Sequence, residues 1–220
     1  YGTNIHYPTI ELATRVFRDD ELEFSPGTGY VYSTYGINMI QGVIEAVTGK
    51  SLKQYLDDEL FYLVGMNSTT PEIKGQDKRT YATGYRSFLS NLPVHDIDVS
   101  NKYIGGGMRS TPKDLVNMVS AIQAGNIMSD KTRNLMFSVP FPKVAADRMI
   151  GWRKDNYKGQ VTYLHGGAVN GFESFLVHFT EDDITVALMV NQDDYDYTSS
   201  TLYKVYKLIK QSIAPKAKAS

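Results

Sequence analysis

Cysteine is absent from this chain of 220 residues, and tryptophan occurs only once. Without thiols the chain cannot form disulfides, use a cysteine nucleophile or bind zinc through thiolates. The absence fits either a reducing compartment or a bacterial envelope protein that is poor in cysteine. The redox environment of the protein therefore stays open.

Long hydrophobic runs and an excess of charge of one sign are missing as well. No apolar stretch approaches the roughly 20 residues of a membrane-spanning helix, and no signal-peptide pattern is present. The formal net charge is -1 and the pI is about 6.5. Since there is also no basic stripe interleaved with aromatic residues, we expect no membrane span and no nucleic-acid partner.

Apolar residues make up 42% of the sequence, which is enough for one substantial core. We expect a single domain over residues 1–220, mostly helical up to about residue 140. A sheet and a C-terminal helix should follow, from about residue 145 to about residue 213. The expected fold class is therefore α+β, with an antiparallel sheet flanked by helices.

The strongest helix signal begins at Thr34 and stops at Gly49. Five apolar residues in it follow the i, i+3, i+4 spacing of a buried helix face: Ile37, Ile40, Val43, Ile44 and Val47. Ser51 and Gln54 then form a capping box, which predicts a second helix running toward Gly65.

Short β-rich runs fill the last third of the chain: MIGW, VTYLH, ESFLVHF and ITVALMV. They predict neighbouring antiparallel strands, with a polar turn at EDD, residues 181–183. The run from Val186 to Val190 is apolar without alternation, as in a strand covered on both faces. Helices should therefore flank the sheet on each side, and one of them should be the last helix, whose apolar stripe includes Leu202 and Tyr206.

The segment STPK, residues 110–113, fits the pattern S-x-x-K of serine enzymes whose nucleophile is activated by a lysine. Ser110 and Lys113 would share one helix face. The same residues could instead only cap a helix. Thr111 is a good N-cap, Pro112 suits the first helical position, and Asp114, three residues after Thr111, completes a capping arrangement. Such residues are common at helix starts, so capping is the favoured interpretation and catalysis the alternative.

Three segments occur in a recognisable order: FSPGTGYVYSTYGINMIQGVIEAVTGKSL, YIGGGMRSTPKDL and YLHGGAVNGFES, with FYLVGMNSTT between the first two. Together they resemble the serine β-lactamase-like superfamily of class C β-lactamases, DD-peptidases, related esterases and the mitochondrial β-lactamase-like protein. The resemblance implies a β-lactamase/transpeptidase-like fold. It also implies a serine hydrolase that forms an acyl-enzyme with an ester, peptide or β-lactam carbonyl.

The resemblance assigns roles to particular residues. The family's second motif, Tyr-x-Asn, falls on Tyr32-Ser33-Thr34, and its third, Lys-Thr-Gly or His-x-Gly, falls on His165-Gly166-Gly167. Tyr32 would act as a base, favoured by the positive end of the following helix and by a neighbouring cation. His165 would orient the substrate or Tyr32, and the backbone N–H of Ala168 would stabilise the oxyanion.

Departures from the family pattern bear on the substrate. Thr34 replaces an asparagine that contacts substrate in the family, and Gly166 lacks a hydroxyl. His165 replaces a lysine, and its imidazole is largely neutral near pH 7, which weakens a fixed positive charge for a substrate carboxylate. Gly166 and Gly167 would let a substrate backbone approach closely. These changes favour ester or peptide hydrolysis over β-lactam turnover.

The nucleophile has no counterpart in this chain. In the family, S-x-x-K precedes the tyrosine motif, but the only serine before Tyr32 is Ser25 and the first lysine is Lys50. We therefore expect that the N-terminal part of the fold, with the serine-lysine helix, lies upstream, and that this chain alone is inactive. Apolar surface exposed by that truncation would favour self-association.

The implied partner is a small-molecule or peptide substrate, and no metal or organic cofactor is expected. DDYD, residues 193–196, lacks the Gly and Glu spacing of an EF-hand and is interpreted as a solvated loop. A location in the bacterial periplasm or outside the cell is favoured, with mitochondrial or cytoplasmic location left open. The alternative function is a non-catalytic relative that binds peptides or serves as a scaffold.

Overall fold

A computed structural model of the chain describes residues 5–73, 81–86, 92–95, 97–193 and 198–213. The helices are α1 (Ile10–Thr14), α2 (Thr34–Thr48), α3 (Leu52–Leu56), a π-helical turn (Asp57–Phe61), α4 (Tyr62–Val64), α5 (Tyr103–Gly106), α6 (Pro112–Gln123), α7 (Asp130–Met136) and α8 (Thr198–Ile213). The strands are β1 (Thr70–Pro71), β2 (Met108–Arg109), β3 (Arg153–Tyr157), β4 (Gln160–Val169), β5 (Phe172–Phe179) and β6 (Ile184–Val190). Strands β1 and β2 pair with each other, and β3 to β6 form an antiparallel sheet in chain order. In the described ranges, every helix is too short or too polar to span a membrane.

Local capping chemistry sets the predicted ends of α2 and α3. The hydroxyl of Ser33 accepts a hydrogen bond from the backbone N–H of Gly36 at 3.0 Å, and α2 ends at Gly49, whose φ is 67°. That left-handed φ favours glycine. The hydroxyl of Ser51 accepts from the N–H of Gln54 at 3.3 Å, which starts α3. Both predicted ends of α2 and the predicted start of α3 are confirmed. The second helix reaches Gly65, as predicted, but as α3, the π-helical turn and α4 in succession.

The buried side of α2 is polar, so the prediction of a buried apolar face is wrong. Asn38 and Gln41 are its buried residues, whereas Ile40, Val43 and Val47 are 47%, 60% and 80% exposed. Helix α2 packs this polar side against α5. Periodicity reveals an apolar stripe, but it does not reveal which side another element covers.

Two apolar clusters cover the two faces of the large sheet. On one face the sheet packs against α8, through a cluster that includes Val177, Phe179, Leu202 and Tyr206. On the other face, Leu176 packs with Val119 of α6 and with Met149 and Trp152. Strand β6 contacts both α6 and α8, so the interpretation of its apolar run is confirmed.

The run MIGW, residues 149–152, does not form a strand as predicted. The strand in this region is β3, which starts one residue later and carries the polar sequence RKDNY. Its middle residues are exposed, so its composition lacks the apolar alternation on which strand prediction depends. The turn predicted at residues 181–183 is confirmed, and it joins β5 to β6.

Asp182, in this turn, connects the sheet to α8. Its carboxylate accepts hydrogen bonds from Lys210 Nζ at 2.8 Å, from the Tyr206 hydroxyl and from Gln160 Nε2 at 3.1 Å. These bonds, the one from Lys210 first, lower the pKa of Asp182 to about 2, because they favour the ionised carboxylate. Folding is therefore linked to ionisation of this carboxyl group.

Replacing Asp182 with asparagine is expected to lower the melting temperature at neutral pH and to have little effect near pH 2. The pKa of the carboxyl is lower in the folded chain than its ordinary value of 3.8. Its contribution to the free energy of unfolding is therefore present above that ordinary value and is lost as the pH falls toward 2. Thermal melts followed by circular dichroism across this pH range measure the difference. Glu181→Gln, in the same turn, is the control, and a difference for Asp182→Asn that stayed constant down to pH 2 would contradict the prediction.

Candidate active site

The second half of β4 has an open edge. Strand β3 pairs with β4 only over residues 160–164, whereas β5 pairs with it up to Val169. Within the described residues, no strand pairs with the other edge of residues 165–169, and all five of these residues are exposed. The backbone groups of an open strand edge can bind an extended ligand. This edge carries His165, Gly166, Gly167 and Ala168.

The two glycines of this edge make room for side chains of β5. A Cβ atom at Gly166 would lie 3.0 Å from Cδ2 of Phe175, and one at Gly167 would lie 3.0 Å from Oγ of Ser174. Both distances are tighter than ordinary van der Waals contact, so glycine leaves room for the Phe175 and Ser174 side chains to lie against β4 here. The structure thus gives these glycines a role within the sheet, besides the one that sequence assigns toward substrate.

His165 lies at the start of the open edge, on the sheet face that also carries Tyr163. Its side chain is exposed, yet the surrounding protein still desolvates the ring. Desolvation lowers the pKa of His165, the positive charge of Arg148 lowers it further, and a backbone hydrogen bond with Gly166 opposes both effects. Because the pKa lies below its ordinary value of 6.5, the imidazole is neutral near pH 7.

Tyr32 and Thr34 lie at the start of α2. Tyr32 is 66% exposed, and Thr34 is the first residue of the helix. Thr34 touches Gly105, since a Cβ atom at Gly105 would lie 2.7 Å from the Thr34 carbonyl oxygen. The N–H of Gly105 donates to Oδ1 of Asn38 at 3.0 Å. The glycine-rich segment YIGGG therefore supports the start of α2, and glycine at 105 is required by this close approach.

Arg148 lies beside the ring of Tyr30 and near His165. Its guanidinium carbon lies 5.5 Å from the centroid of the Tyr30 ring, and its charge acts on His165. Backbone pairing of Arg148 with Arg153, and of Arg153 with Leu164, places Arg148 and the ring of Tyr30 near the start of the open edge of β4. Sequence alone gives no signal for Arg148, because its position depends on tertiary pairing.

Ser110 belongs to a hydrogen-bonded structural cluster. Its Oγ lies 2.8 Å from Oγ1 of Thr69, and Thr69 donates to Oδ2 of Asp114 at 2.8 Å. The hydroxyl of Thr111 accepts from the N–H of Asp114 at 3.2 Å, which caps α6. Lys113 is exposed. The capping interpretation of STPK is confirmed, and the cluster ties α6 to the segment before β1.

Metal-binding residues do not cluster in the part of the chain that the structure describes: no three His, Asp or Glu side chains there could hold one ion. The segment DDYD is described only at Asp193, and its other residues lie outside the described ranges. The interpretation of that segment as a solvated loop stays a prediction.

Known proteins are similar in sequence to parts of this chain. The family model Beta-lactamase matches residues 3–205. The serine beta-lactamase-like protein LACTB, mitochondrial, of Homo sapiens is 29% identical over 129 residues, which are 56% of this chain and 23% of that protein. A D-aminopeptidase of Gluconobacter oxydans is 22% identical over 175 residues, which are 77% of this chain and 33% of that protein. The chain thus spans a third or less of the length of these relatives.

Solved structures share the fold over most of this chain. The D-amino acid amidase from Ochrobactrum anthropi, complexed with L-phenylalanine, superposes with a TM-score of 0.79 at 21% identity, covering 96% of this chain and 65% of that one. A penicillin binding protein from Bacillus halodurans gives a TM-score of 0.75 at 15% identity, covering 92% and 62%. The predicted α+β fold, an antiparallel sheet flanked by helices, is confirmed.

Proposed function

The chain belongs to the β-lactamase family, and from this premise we propose that the whole protein is a serine hydrolase acting through an acyl-enzyme on an ester, peptide or β-lactam carbonyl. The observation that carries the proposal is the open edge of β4, where exposed strand backbone and a neutral imidazole, that of His165, lie together. These are groups that acyl transfer uses.

We assign the nucleophile to an S-x-x-K segment upstream of residue 1. The form of the protein that includes this segment is called the longer protein below. The serine Oγ would form a bond to the carbonyl carbon, and Tyr32 would carry the serine proton to the leaving group as its bond breaks. The N–H of Ala168 would donate to the oxyanion. Water would then hydrolyse the acyl-enzyme. Thr34 and His165 would orient the substrate, and no cofactor is required.

Amide and ester substrates are favoured over β-lactams. The departures at Thr34, His165 and Gly166 support this preference, as do the names of two relatives, a D-aminopeptidase and a D-amino acid amidase.

We also propose that residues 1–220 form one domain. The second candidate function, peptide binding without chemistry, is supported by the open strand edge of β4.

A fluorophosphonate probe is expected to leave this chain unmodified and to add once to the longer protein, because only the longer protein would hold the nucleophile. Intact-protein mass spectrometry measures the added mass, and benzylpenicillin serves as a second probe. Ser110→Ala in this chain is the control. Labelling of this chain that the Ser110 variant abolishes would refute the proposal. A longer protein that binds peptide but is never labelled would favour the second function.

Self-association of this chain is expected through the exposed apolar side of α2, because exposed apolar patches favour association. Changing Val43 and Val47 together to lysine should shift sedimentation-velocity profiles toward monomer. Leu208→Lys on α8 is the control, since Leu208 is another exposed apolar residue, at 65% exposure, but lies outside α2. A chain that stays monomeric over a wide concentration range would show that this surface does not self-associate.

A further inference from the structure

A crevice lies between α6 and the start of β6. Its volume is about 390 Å³, which is within the range of small-molecule sites. The β5–β6 turn, beside the crevice, and the β4–β5 turn, where the open edge of β4 ends, lie at opposite ends of the antiparallel strands. The crevice is therefore separate from the candidate active site. Its walls are formed by Val116, Ser120, Gln123, Ala124, Asp183 and Thr185.

Two polar groups on the α6 wall can bond a ligand. Nε2 of Gln123 is buried, and within the described residues it has no hydrogen-bond acceptor. A buried donor without an acceptor is costly, so an oxygen atom of a ligand would be stabilised beside it. Ser120 is exposed, and its hydroxyl can donate or accept. Val116 and Ala124 add small apolar side chains, against which the carbon atoms of a ligand can pack.

The wall at the start of β6 carries the carboxylate of Asp183. This side chain is 85% exposed, and its Oδ1 lies 4.0 Å from Nε2 of His178, which is too long for a hydrogen bond. The other ring nitrogen of His178 lies 3.0 Å from Oγ1 of Thr185, which holds the ring in place. Desolvation lowers the pKa of His178, against an opposing effect of the Asp183 charge, so the imidazole is neutral near pH 7. It therefore does not balance the charge of Asp183.

Nearby cations are already matched with other carboxylates. Arg133 donates from Nη1 to the carbonyl of Gln123 at 2.8 Å, and its Nη2 is paired with Asp130 at 2.9 Å. In the β5–β6 turn, Lys210 is paired with Asp182. Within the described ranges, no lysine or arginine lies at ion-pair distance from Asp183. A ligand that brings a positive charge to this wall would therefore be favoured.

We propose that this crevice binds a small amino alcohol, a compound with a primary amine and neighbouring hydroxyl groups. The ammonium group would donate to the Asp183 carboxylate, and a hydroxyl oxygen would accept from Nε2 of Gln123. Ser120 would bond a second hydroxyl. The inference goes beyond the proposed hydrolase and does not depend on the acyl-enzyme.

The test uses three probes with the same three-carbon skeleton. Serinol has an amine between two hydroxyls, glycerol has a hydroxyl in place of the amine, and isopropylamine has the amine without hydroxyls. NMR titration of this chain at pH 7 follows the side-chain amide of Gln123 and the ring of His178. Serinol should bind in the millimolar range expected for so small a ligand. It should bind about tenfold more tightly than glycerol, because charge-assisted hydrogen bonds are the stronger ones, and severalfold more tightly than isopropylamine.

Three variants test the assignment of the groups. Asp183→Asn should reduce the preference for serinol over glycerol to about twofold or less. Asparagine tolerates the left-handed φ of 51° at this position as aspartate does, so the fold should be unchanged. Glu181→Gln, in the same turn, is the matched control and should keep the full preference. Ala124→Phe fills part of the crevice from an exposed position, and it should abolish serinol binding without lowering the melting temperature.

Equal affinity for serinol and glycerol, or a preference that persists in Asp183→Asn, would overturn the inference. So would saturable shifts that spare Gln123 and His178, because the amine would then bind elsewhere. The titration is repeated with the longer protein, where loss of serinol binding would show that upstream residues fill the crevice and would also overturn it. All of these outcomes can be read whether or not fluorophosphonate labels the longer protein.

Discussion

Replacing Tyr32 with phenylalanine is expected to lower kcat of the longer protein by about 10²–10⁴-fold, the range typical of a lost general acid–base group. The change removes one hydroxyl and keeps the ring, so the substrate can still bind while the proton of the nucleophile loses its carrier. Because Tyr32 is 66% exposed, the change should leave the melting temperature nearly unaltered. Steady-state hydrolysis of an aryl ester and of an amino acid amide measures the effect.

Tyr30→Phe is the matched control for this experiment. The variant keeps the aromatic ring that faces Arg148, and Tyr30 lies only two residues from Tyr32. We expect its kcat to stay within about threefold of the wild type, since a surface hydroxyl outside the proton path carries little energy. If the Tyr32→Phe protein is as active as this control, Tyr32 does not take part in proton transfer, and another group must act as the base.

The sequence predicts the two ends of α2 correctly, because local contacts determine them. It does not predict which side of α2 is buried, because tertiary contacts determine that side. Ser33 and Gly49 mark the ends of the helix through hydrogen bonds and a left-handed φ, which neighbouring residues determine. The side that α2 buries is determined by α5, which lies more than fifty residues further along the chain. Asn38 is buried there because its Nδ2 donates to the carbonyl of Asn101 at 2.6 Å and its Oδ1 accepts from Gly105. No periodicity within the helix encodes these partners.

In the candidate site, too, sequence motifs point to some residues, whereas others depend on tertiary contacts. Motif order in the sequence is enough to propose Tyr32, His165 and Ala168, and these assignments stay predictions until activity is measured. Arg148 is missed because β3 carries the polar sequence RKDNY and the turn before it contains the apolar run MIGW. Only pairing of β3 with β4 shows that a basic residue before this turn lies near His165. How far Arg148 lies from His165 depends on this strand pairing, so no fixed sequence spacing could reveal it.

Phe179 is the core residue whose loss should cost the most stability. Its side chain is fully buried, at 0% exposure, between the sheet and α8. The ring stacks on Tyr206 with centroids 3.6 Å apart and meets Tyr157 edge to face at 5.7 Å. Tyr206 also donates a hydrogen bond to Asp182, so the packing of this ring supports the polar contacts that hold α8.

Phe179→Ala is therefore expected to lower the free energy of unfolding by about 3–5 kcal/mol, since truncation loses apolar burial and leaves a cavity. A domain of this kind has only about 5–15 kcal/mol in total, so the variant should be partly unfolded at physiological temperature. Urea denaturation followed by circular dichroism measures the loss, with Phe141→Ala as the control because Phe141 is 57% exposed. If Phe179→Ala cost no more than this control, the face of the sheet under α8 would not be a cooperative part of the core. The acid-sensitive contact at Asp182 would then have to hold the helix by itself.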